Sequence, residues 1–411
     1  MNVLISAIAC DPTGGSEGSV GWNAVQLIAE RHDVRVLVHA KYEEAWRRAG
    51  AEGLVPPNVE ARFLCSAKPW HPNRMIARLQ SWSRYMEFNR HALAAALAWH
   101  GEKAFDLAHH VTYATWRVPS PLWRLPVPFI WGPIGGAANF PNAFFPILSP
   151  SARAFEALRK FSAAAGRRSR GFRDCVENST LVIAANVESE DFLRPYRGGR
   201  AMIRLPVTYL TADKIERFRR PVGHTRRPGP LRLFAGGNMI GSKGLALAVR
   251  ALAKVKSEGV GFHYTIAGGG PEYPKIQALV NELGLCNEVT LHPGFRGDDY
   301  PAALRDSDIY FLPSFRETTP ITLIEALLAG CHPIVADASA PGVLMRELGG
   351  DAVAADSPEE MVEGLATAVL AFSRDGAEAD IAESIVTALT DKFSRETYRD
   401  AIMEAYRSCV S

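Results

Sequence analysis

The sequence predicts an α/β protein of two doubly wound domains that face one another across a cleft. Three observations carry this. Short apolar runs alternate with longer helical patterns along nearly the whole chain, and repeated β-α-β of this kind implies parallel sheets covered by helices. The 411 residues exceed what one core holds, since single cores stop growing near ~250–300 residues. The rhythm breaks once, at Thr211–Pro230.

The first series of candidate strands is Val3–Ala9, Val34–Val38, Ala61–Cys65, Leu107–His110, Val127–Trp131, Leu181–Ala184 and Met202–Leu205. The second is Leu231–Ala235, Phe262–Ala267, Glu288–Leu291, Ile309–Pro313, His332–Ala336 and Ala352–Ala354. Between them KIERFRRPVGHTRRPGP is basic and proline-rich. Residues 211–230 therefore read as a linker between an N-terminal domain, 1–210, and a C-terminal domain, 231–390. The stretch Ser394–Val410 places Tyr398, Ile402 and Tyr406 on one face. Residues 391–411 read as a terminal helix expected to pack back on the N-terminal domain.

A net charge of +2 gives no support for nucleic-acid binding, which needs a strongly basic face. The six cysteines form no Cys-x-x-Cys motif and read as reduced thiols in a reducing compartment. The opening MNVLISAIACD has no positive n-region, so it reads as a buried strand rather than a signal peptide. No later run of about 18 apolar residues suggests a membrane span. The expected location is cytoplasmic.

Ligands of such sheets bind beyond the carboxyl ends of the strands, so the strand-to-helix turns hold the candidates. In CDPTGGSEGSVGW, Gly14, Gly15, Gly18 and Gly21 allow close backbone approach, and the helix start behind them favours an anion. His109 and His110 stand at the end of a strand. Alternation turns one to the sheet face and leaves the other near the cleft; either a base or a buried structural histidine fits. WGPIGGAANFP carries Asn139 and reads as a binding loop. FAGGNMIGSKG places Lys243 near a helix start, a natural phosphate ligand. IAGGGPEY is another glycine-rich turn. In RETTPITLIEALLAGCHPIVAD, Thr319 is expected as N-cap with Pro320 at the first helical position. Glu317 then lies just outside that helix and Glu325 inside it. Asp306-Ser307-Asp308 precedes a strand, at the wrong end of the sheet for a metal site, and no metal is expected.

Together these turns resemble the family 4 retaining glycosyltransferases, whose pair of Rossmann-like domains is called GT-B. The likeness covers nearly the whole chain and is strongest over Leu231–Ala336, where Glu317 and Glu325 meet the family's Glu, seven residues, Glu pattern. The N-terminal turn and the WGPIGGA loop look like those of a bacterial subgroup. The resemblance implies that Glu325 holds ribose hydroxyls and that Glu317 sits near the donor sugar and its anomeric centre. It implies that Lys243 binds the diphosphate, helped by amides of the Thr318–Pro320 turn, with Gly15 approaching from the other side. Asn238, Gly294 and Phe295 complete the implied donor contacts. His109 matches the Asp-x-x-His position near donor and acceptor, with His110 as the fallback. Ser16, Glu17, His110 and Asn139 are the implied acceptor residues. No cofactor is implied beyond a nucleotide-diphosphate sugar as co-substrate.

Two departures stand out. Asn238 occupies the place of the family's usual Arg, so either another arginine, Arg296 or Arg316, supplies the missing charge or catalysis is weaker. Thr319-Pro320 replaces the usual Phe-Gly after the first Glu. Ser151–Arg173 is basic, with Phe155, Leu158 and Phe161 among its cations. It could lie on an anionic membrane or be a solvated helix face, and the aromatic-rich Trp70–Tyr85 could join such a surface. The expected function is transfer of a sugar to a glycan or lipid-linked acceptor in polysaccharide or envelope glycan assembly. The alternatives are a non-catalytic sugar-nucleotide-binding protein of the same fold and a sugar-nucleotide epimerase-like or phosphorylase-like enzyme.

Overall fold

Every buried strand of this chain presents apolar side chains on both faces, and helices cover both. The computed structural model describes residues 1–14, 16–65, 74–113, 115–220, 228–375 and 383–410, with backbone only for 16, 74–82 and 375. Two compact units result: Met1–Ala137, Ser162–Tyr209 and Arg395–Ser411 form the first, Ala138–Phe161 and Leu210–Ser394 the second.

The first unit holds strands β1 (Asn2–Ala7), β2 (Asp33–His39), β3 (Val59–Leu64), β4 (Leu107–Thr112), β5 (Phe129–Ile134), β6 (Leu181–Ala184) and β7 (Met202–Arg204). They form one sheet in the order β3-β2-β1-β4-β5-β6-β7, parallel throughout. Its helices are α1 (Ser16–Ala29), α2 (Glu43–Ala51), α3 (Arg74–Glu102), the latter part of α4 (Pro150–Arg168), α5 (Arg170–Asn178) and α6 (Val187–Arg197). Side chains alternate with period two. Val3, Ile5 and Leu107 join the core against α1, and Leu4 and Ala108 join the opposite core against α3 and α5.

The second unit begins with the 3-10 turn Asn142–Ile147 and the first part of α4, then α7 (Ala212–Phe218). Its strands are β8 (Leu231–Gly236), β9 (Phe262–Ala267), β10 (Val289–His292), β11 (Ile309–Phe311) and β12 (His332–Ile334). Their order is β10-β9-β8-β11-β12, again all parallel. Helices α8 (Leu245–Ser257), α9 (Tyr273–Glu282), α10 (Asp299–Arg305), α11 (Ile321–Leu328), α12 (Ser339–Glu347), α13 (Pro358–Asp375) and α14 (Glu383–Lys392) complete it. The last helix of the chain, α15 (Arg395–Val410), belongs to the first unit. There Tyr398, Ile402 and Tyr406 are buried in the core over α1.

Three boundaries differ from expectation. Residues 138–161, read as part of a contiguous 1–210 domain, pack in the second unit, because Phe140, Phe144 and Leu148 enter its core. Phe144 lies 4.4 Å, centroid to centroid, from Phe315. The start of the expected linker is packed structure: Thr211 caps α7 by accepting from Lys214 N (3.2 Å), and Phe218 is buried. Residues 221–227 lie outside the described residues. Ala352–Ala354 is no full strand, only an isolated bridge from Val353 to Ala336.

The basic stretch Ser151–Arg173 is broken into α4 and α5 at Ser169, whose hydroxyl caps α5 by accepting from Phe172 N (3.2 Å). Of the aromatic-rich stretch Trp70–Tyr85, residues 70–73 lie outside the described residues. Among the described residues no helix is long and apolar enough to cross a membrane.

Candidate active site

In a doubly wound sheet the crevice for a ligand opens where the strand order reverses. In the second unit that point lies between β8 and β11. The turns after β8, β9 and β11 converge beside it. Gly237 N donates to Ala267 O and Met239 N to Gly269 O, both at 2.9 Å, and Phe315 N donates to Ser242 O at 2.8 Å. Gly244 has φ +66°, and a Cβ there would collide with the Pro313 carbonyl; only glycine lets these backbones meet.

Lys243 ends the 3-10 turn Gly241–Lys243, and its Nζ pairs with Glu317 Oε1. Ser314 Oγ donates to the same oxygen at 2.8 Å. Glu317 N donates to Ser339 Oγ at 3.0 Å, which fixes the turn on the start of α12. One acid and one ammonium from different turns are thus held largely out of water. Such a pair can exchange its internal partner for a charged or hydroxylated ligand.

Glu325 is buried. Its Oε1 lies 2.6 Å from Lys214 Nζ, and its Oε2 accepts from Tyr300 OH at 3.1 Å. Burial first, and the Glu325 charge second, push the Tyr300 phenol well up, so it stays a donor. Lys214, Tyr300, Ser314 and Ser339 were not among the expected site residues. Lys214 lay hidden in a stretch that read as linker.

The helix start differs from expectation by one residue. Pro320, not Thr319, caps α11, with φ −82° and ψ 64° and no side-chain cap bond. The proline ring fixes φ and leaves no N–H, so Thr319 turns the corner through its carbonyl, which accepts from Ile321 N (2.9 Å).

Asn238 is exposed after β8. Phe295 stacks on His292 with centroids 4.0 Å apart and planes 7° off parallel. Gly294, at φ +123°, donates its N–H to His292 Nδ1 (3.1 Å). Arg296 is exposed. Arg316 is paired within the unit: its Nη1 lies 2.6 Å from the buried Glu156 of α4. The cation beside Glu325 is Lys214. At the amino end of β11, Asp308 Oδ2 accepts from Arg232 N (2.8 Å) and Oδ1 lies 3.1 Å from Arg232 Nη2. Asp308 is thereby a structural acid.

In the first unit Gly15 lies outside the described residues, and Ser16 begins α1 with its side chain undescribed. Gly18 and Gly21 serve a close approach within the chain itself. A Cβ at Gly21 would strike the Ala9 carbonyl and one at Gly18 the Asp11 side chain. Glu17, half-buried in the first turn of α1, adds to the burial that raises the Tyr113 phenol. Asn139 is exposed and falls in the second unit.

Both histidines are buried, and neither is left near open solvent. His109 Nε2 lies 2.8 Å from Gly132 O, and its Nδ1 lies 2.8 Å from Tyr406 OH. The carbonyl can only accept, so Nε2 carries the hydrogen and Nδ1 accepts from the tyrosine. His110 sits on the other face between Tyr85 OH (2.8 Å) and Ser6 Oγ (3.2 Å). Burial pushes His109 down to about 4 and His110 to about 3. The unfolded chain would hold both near 6.5, so it binds more protons in acid. Their stabilisation is complete above pH 6.5 and lost as pH falls toward 4 and below, on the order of 3 kcal/mol per histidine. The urea midpoint, followed by near-UV circular dichroism, is expected to fall between pH 7 and pH 4, and less steeply in His109→Gln.

Cys65 also meets Glu87 and His91, one turn apart on α3, with their ligand atoms within 4.8 Å of one another. Only Cys65 is remote in sequence from the other two. Burial pushes the Cys65 thiol up to about 11, so a metal there would have to displace a proton.

Residues 221–405 match the family model of Glycosyl transferases group 1. A stretch of 185 residues is 30% identical to a putative colanic acid biosynthesis glycosyltransferase, WcaL, of Salmonella typhimurium, covering 43% of this chain and 44% of that protein. The chain thus spans under half the length of that relative. The fold is similar to sucrose-phosphate synthase of Thermosynechococcus elongatus, with TM-score 0.68 and 15% identity over 99% of this chain and 98% of that one. It is similar also to Anabaena Alr3699/HepE in complex with UDP-glucose, with TM-score 0.59 and 17% identity over 99% and 100% of the chains. The two parallel-sheet units are the GT-B architecture.

Proposed function

We propose that this chain is a retaining, metal-independent glycosyltransferase of the family 4 type, moving a sugar from a nucleotide-diphosphate sugar to a glycan or lipid-linked acceptor in polysaccharide or envelope glycan assembly. The observation that carries the reading is the Lys243–Glu317 pair, with the buried Glu325 on the helix that follows β11, where the strand order reverses. In this scheme the diphosphate displaces Glu317 from Lys243. The ammonium and the amides at the start of α11 take up the charge that grows as the sugar–phosphate bond breaks, and such preorganised donors are the largest usual contribution to rate. Glu317, released, bonds the donor sugar. Glu325 accepts from the ribose hydroxyls while Lys214 and Tyr300 orient it. The acceptor hydroxyl attacks the face the diphosphate leaves, and its proton passes to a leaving phosphate oxygen. His109 transfers no proton in this scheme; with both ring nitrogens engaged, it holds β4 to β5 and α15.

The relative named for colanic acid biosynthesis and the Anabaena complex with UDP-glucose support the donor and acceptor classes. The scheme places charge neutralisation on lysines and amides, so EDTA is expected to leave turnover unchanged. Calorimetry with UDP, GDP and ADP reads binding, and proton NMR of the product reads the anomer. Inversion, or turnover that needs a divalent ion, sinks the mechanism. Nucleotide binding without turnover for any donor favours a non-catalytic sugar-nucleotide-binding protein, a reading that Asn238 in place of arginine supports.

Lys214→Met tests the unexpected cation. The Kd for the preferred nucleoside diphosphate is expected to rise about tenfold, about 1.4 kcal/mol. An unchanged Kd would leave Lys214 a structural partner of Glu325 only.

A further inference from the structure

Helix α4 turns a face to solvent that no folded core explains. Phe161 is 73% exposed, Leu158 63% and Phe155 38%, and Phe161 is the most exposed large hydrophobic side chain among the described residues. Ala154, Ala157, Ala164 and Ala165 are exposed with them. The spacing 154, 158, 161, 165 is one stripe of a helix. An isolated exposed leucine needs no account, but a contiguous apolar stripe does.

The charges around the stripe are of one sign. Residues 153–173 carry Arg153, Arg159, Lys160, Arg167, Arg168, Arg170 and Arg173. The one acid of α4, Glu156, is turned inward and buried against Arg316. Arg153 Nε donates to the Phe145 and Leu148 carbonyls (both 3.1 Å), and Arg159 Nη2 donates to the Ala138 carbonyl (2.8 Å). Neutral oxygens of this kind fix the Arg153 guanidinium without cancelling its charge. Lys160 bonds the Asn142 amide oxygen.

We propose that the outward face of α4 docks on an anionic lipid surface. It deepens the function proposed above by locating where a lipid-linked acceptor is met. The chemistry fits an interfacial helix: aromatic and leucine side chains enter the headgroup boundary while Lys and Arg meet lipid phosphates. A second copy of this chain fits poorly, because the same cations would face each other across the contact. The helix lies on the bilayer rather than through it, since Arg153, Glu156, Arg159, Lys160, Arg167 and Arg168 interrupt it.

The test is co-sedimentation of the full chain with vesicles of phosphatidylglycerol and phosphatidylcholine, against pure phosphatidylcholine. Binding to the anionic vesicles alone, weakened by salt, is expected. Leu158→Glu/Phe161→Glu is expected to lower that binding tenfold or more, and Arg168→Gln/Arg170→Gln several-fold. Calorimetric nucleotide affinity of each variant stays at wild type and reports an intact fold. Equal binding to neutral vesicles, no binding, or an unaffected double-Glu variant overturns the proposal. So does a concentration-dependent dimer that the double-Glu change abolishes while vesicle binding is absent. Nucleotide binding is read separately, so failure of the dock and failure of the transferase reading are distinguishable.

Discussion

Lys243→Ala is expected to lower kcat/KM for the preferred nucleotide-sugar by about 10³-fold, roughly 4 kcal/mol. The reason is local. Lys243 is the ammonium that the turn after β8 brings to Glu317, and its side chain is only 13% exposed. A positive charge held there, with little water to screen it, acts far more strongly on a leaving diphosphate than the same charge in solvent. Its loss removes stabilisation that grows in the transition state, so kcat should carry most of the fall. Glu317→Gln separates two roles. The amide keeps the hydrogen bond from Ser314 but loses the charge that holds Lys243 in place. If Glu317 acts on the sugar, turnover drops by orders of magnitude while nucleotide Kd barely changes. If Glu317 only parks Lys243, nucleotide binding tightens and turnover survives. Full activity of Lys243→Ala would remove the diphosphate from this turn altogether.

Glu156→Ala is expected to destabilise the second unit by about 3–5 kcal/mol, because it strands the Arg316 guanidinium in a site that excludes water. Glu156 and Arg316 are 6% and 15% exposed at their side chains. The measurement is the urea midpoint followed by intrinsic fluorescence. Glu156→Leu/Arg316→Met is expected to recover most of the loss, since replacing both ions with apolar groups of similar size leaves nothing unpaired. Turnover should not recover with it: Arg316 adjoins Glu317, and a methionine cannot hold that turn through a fixed ion pair. A double variant as unstable as the single would mean that packing of α4, not the ion pair, sets the stability.

Much of the fold was legible because parallel strands buried on both faces leave unbroken apolar runs. Phe262–Ala267 and Leu181–Ala184 are found with the expected ends. The misses are physical. Residues 138–161 follow β5 in sequence but send Phe140, Phe144 and Leu148 into the other core, and local pattern carries no label for which core a phenylalanine joins. The segment around Lys214 looked like linker because its charges dominate its composition. In fact one charge is consumed by Glu325 and one aromatic, Phe218, by the core. Glu317 and Lys243 stood out as candidates because turns at strand ends announce themselves with glycine, proline and threonine, and the structure brings these two together. The histidines misled in one respect: period two places adjacent residues on opposite faces, but it does not say that both faces are covered. Here Tyr406 closes one and Tyr85 the other.

The position of α15 has a consequence for biosynthesis. Tyr398, Ile402 and Tyr406 complete the core over α1, yet they leave the ribosome only after every residue of the second unit. The sheet that starts the chain must therefore wait, with part of its apolar face uncovered, until synthesis has passed residue 406. During that interval the uncovered apolar face of the first unit is open to off-pathway contacts, while every residue of the second unit has already been made.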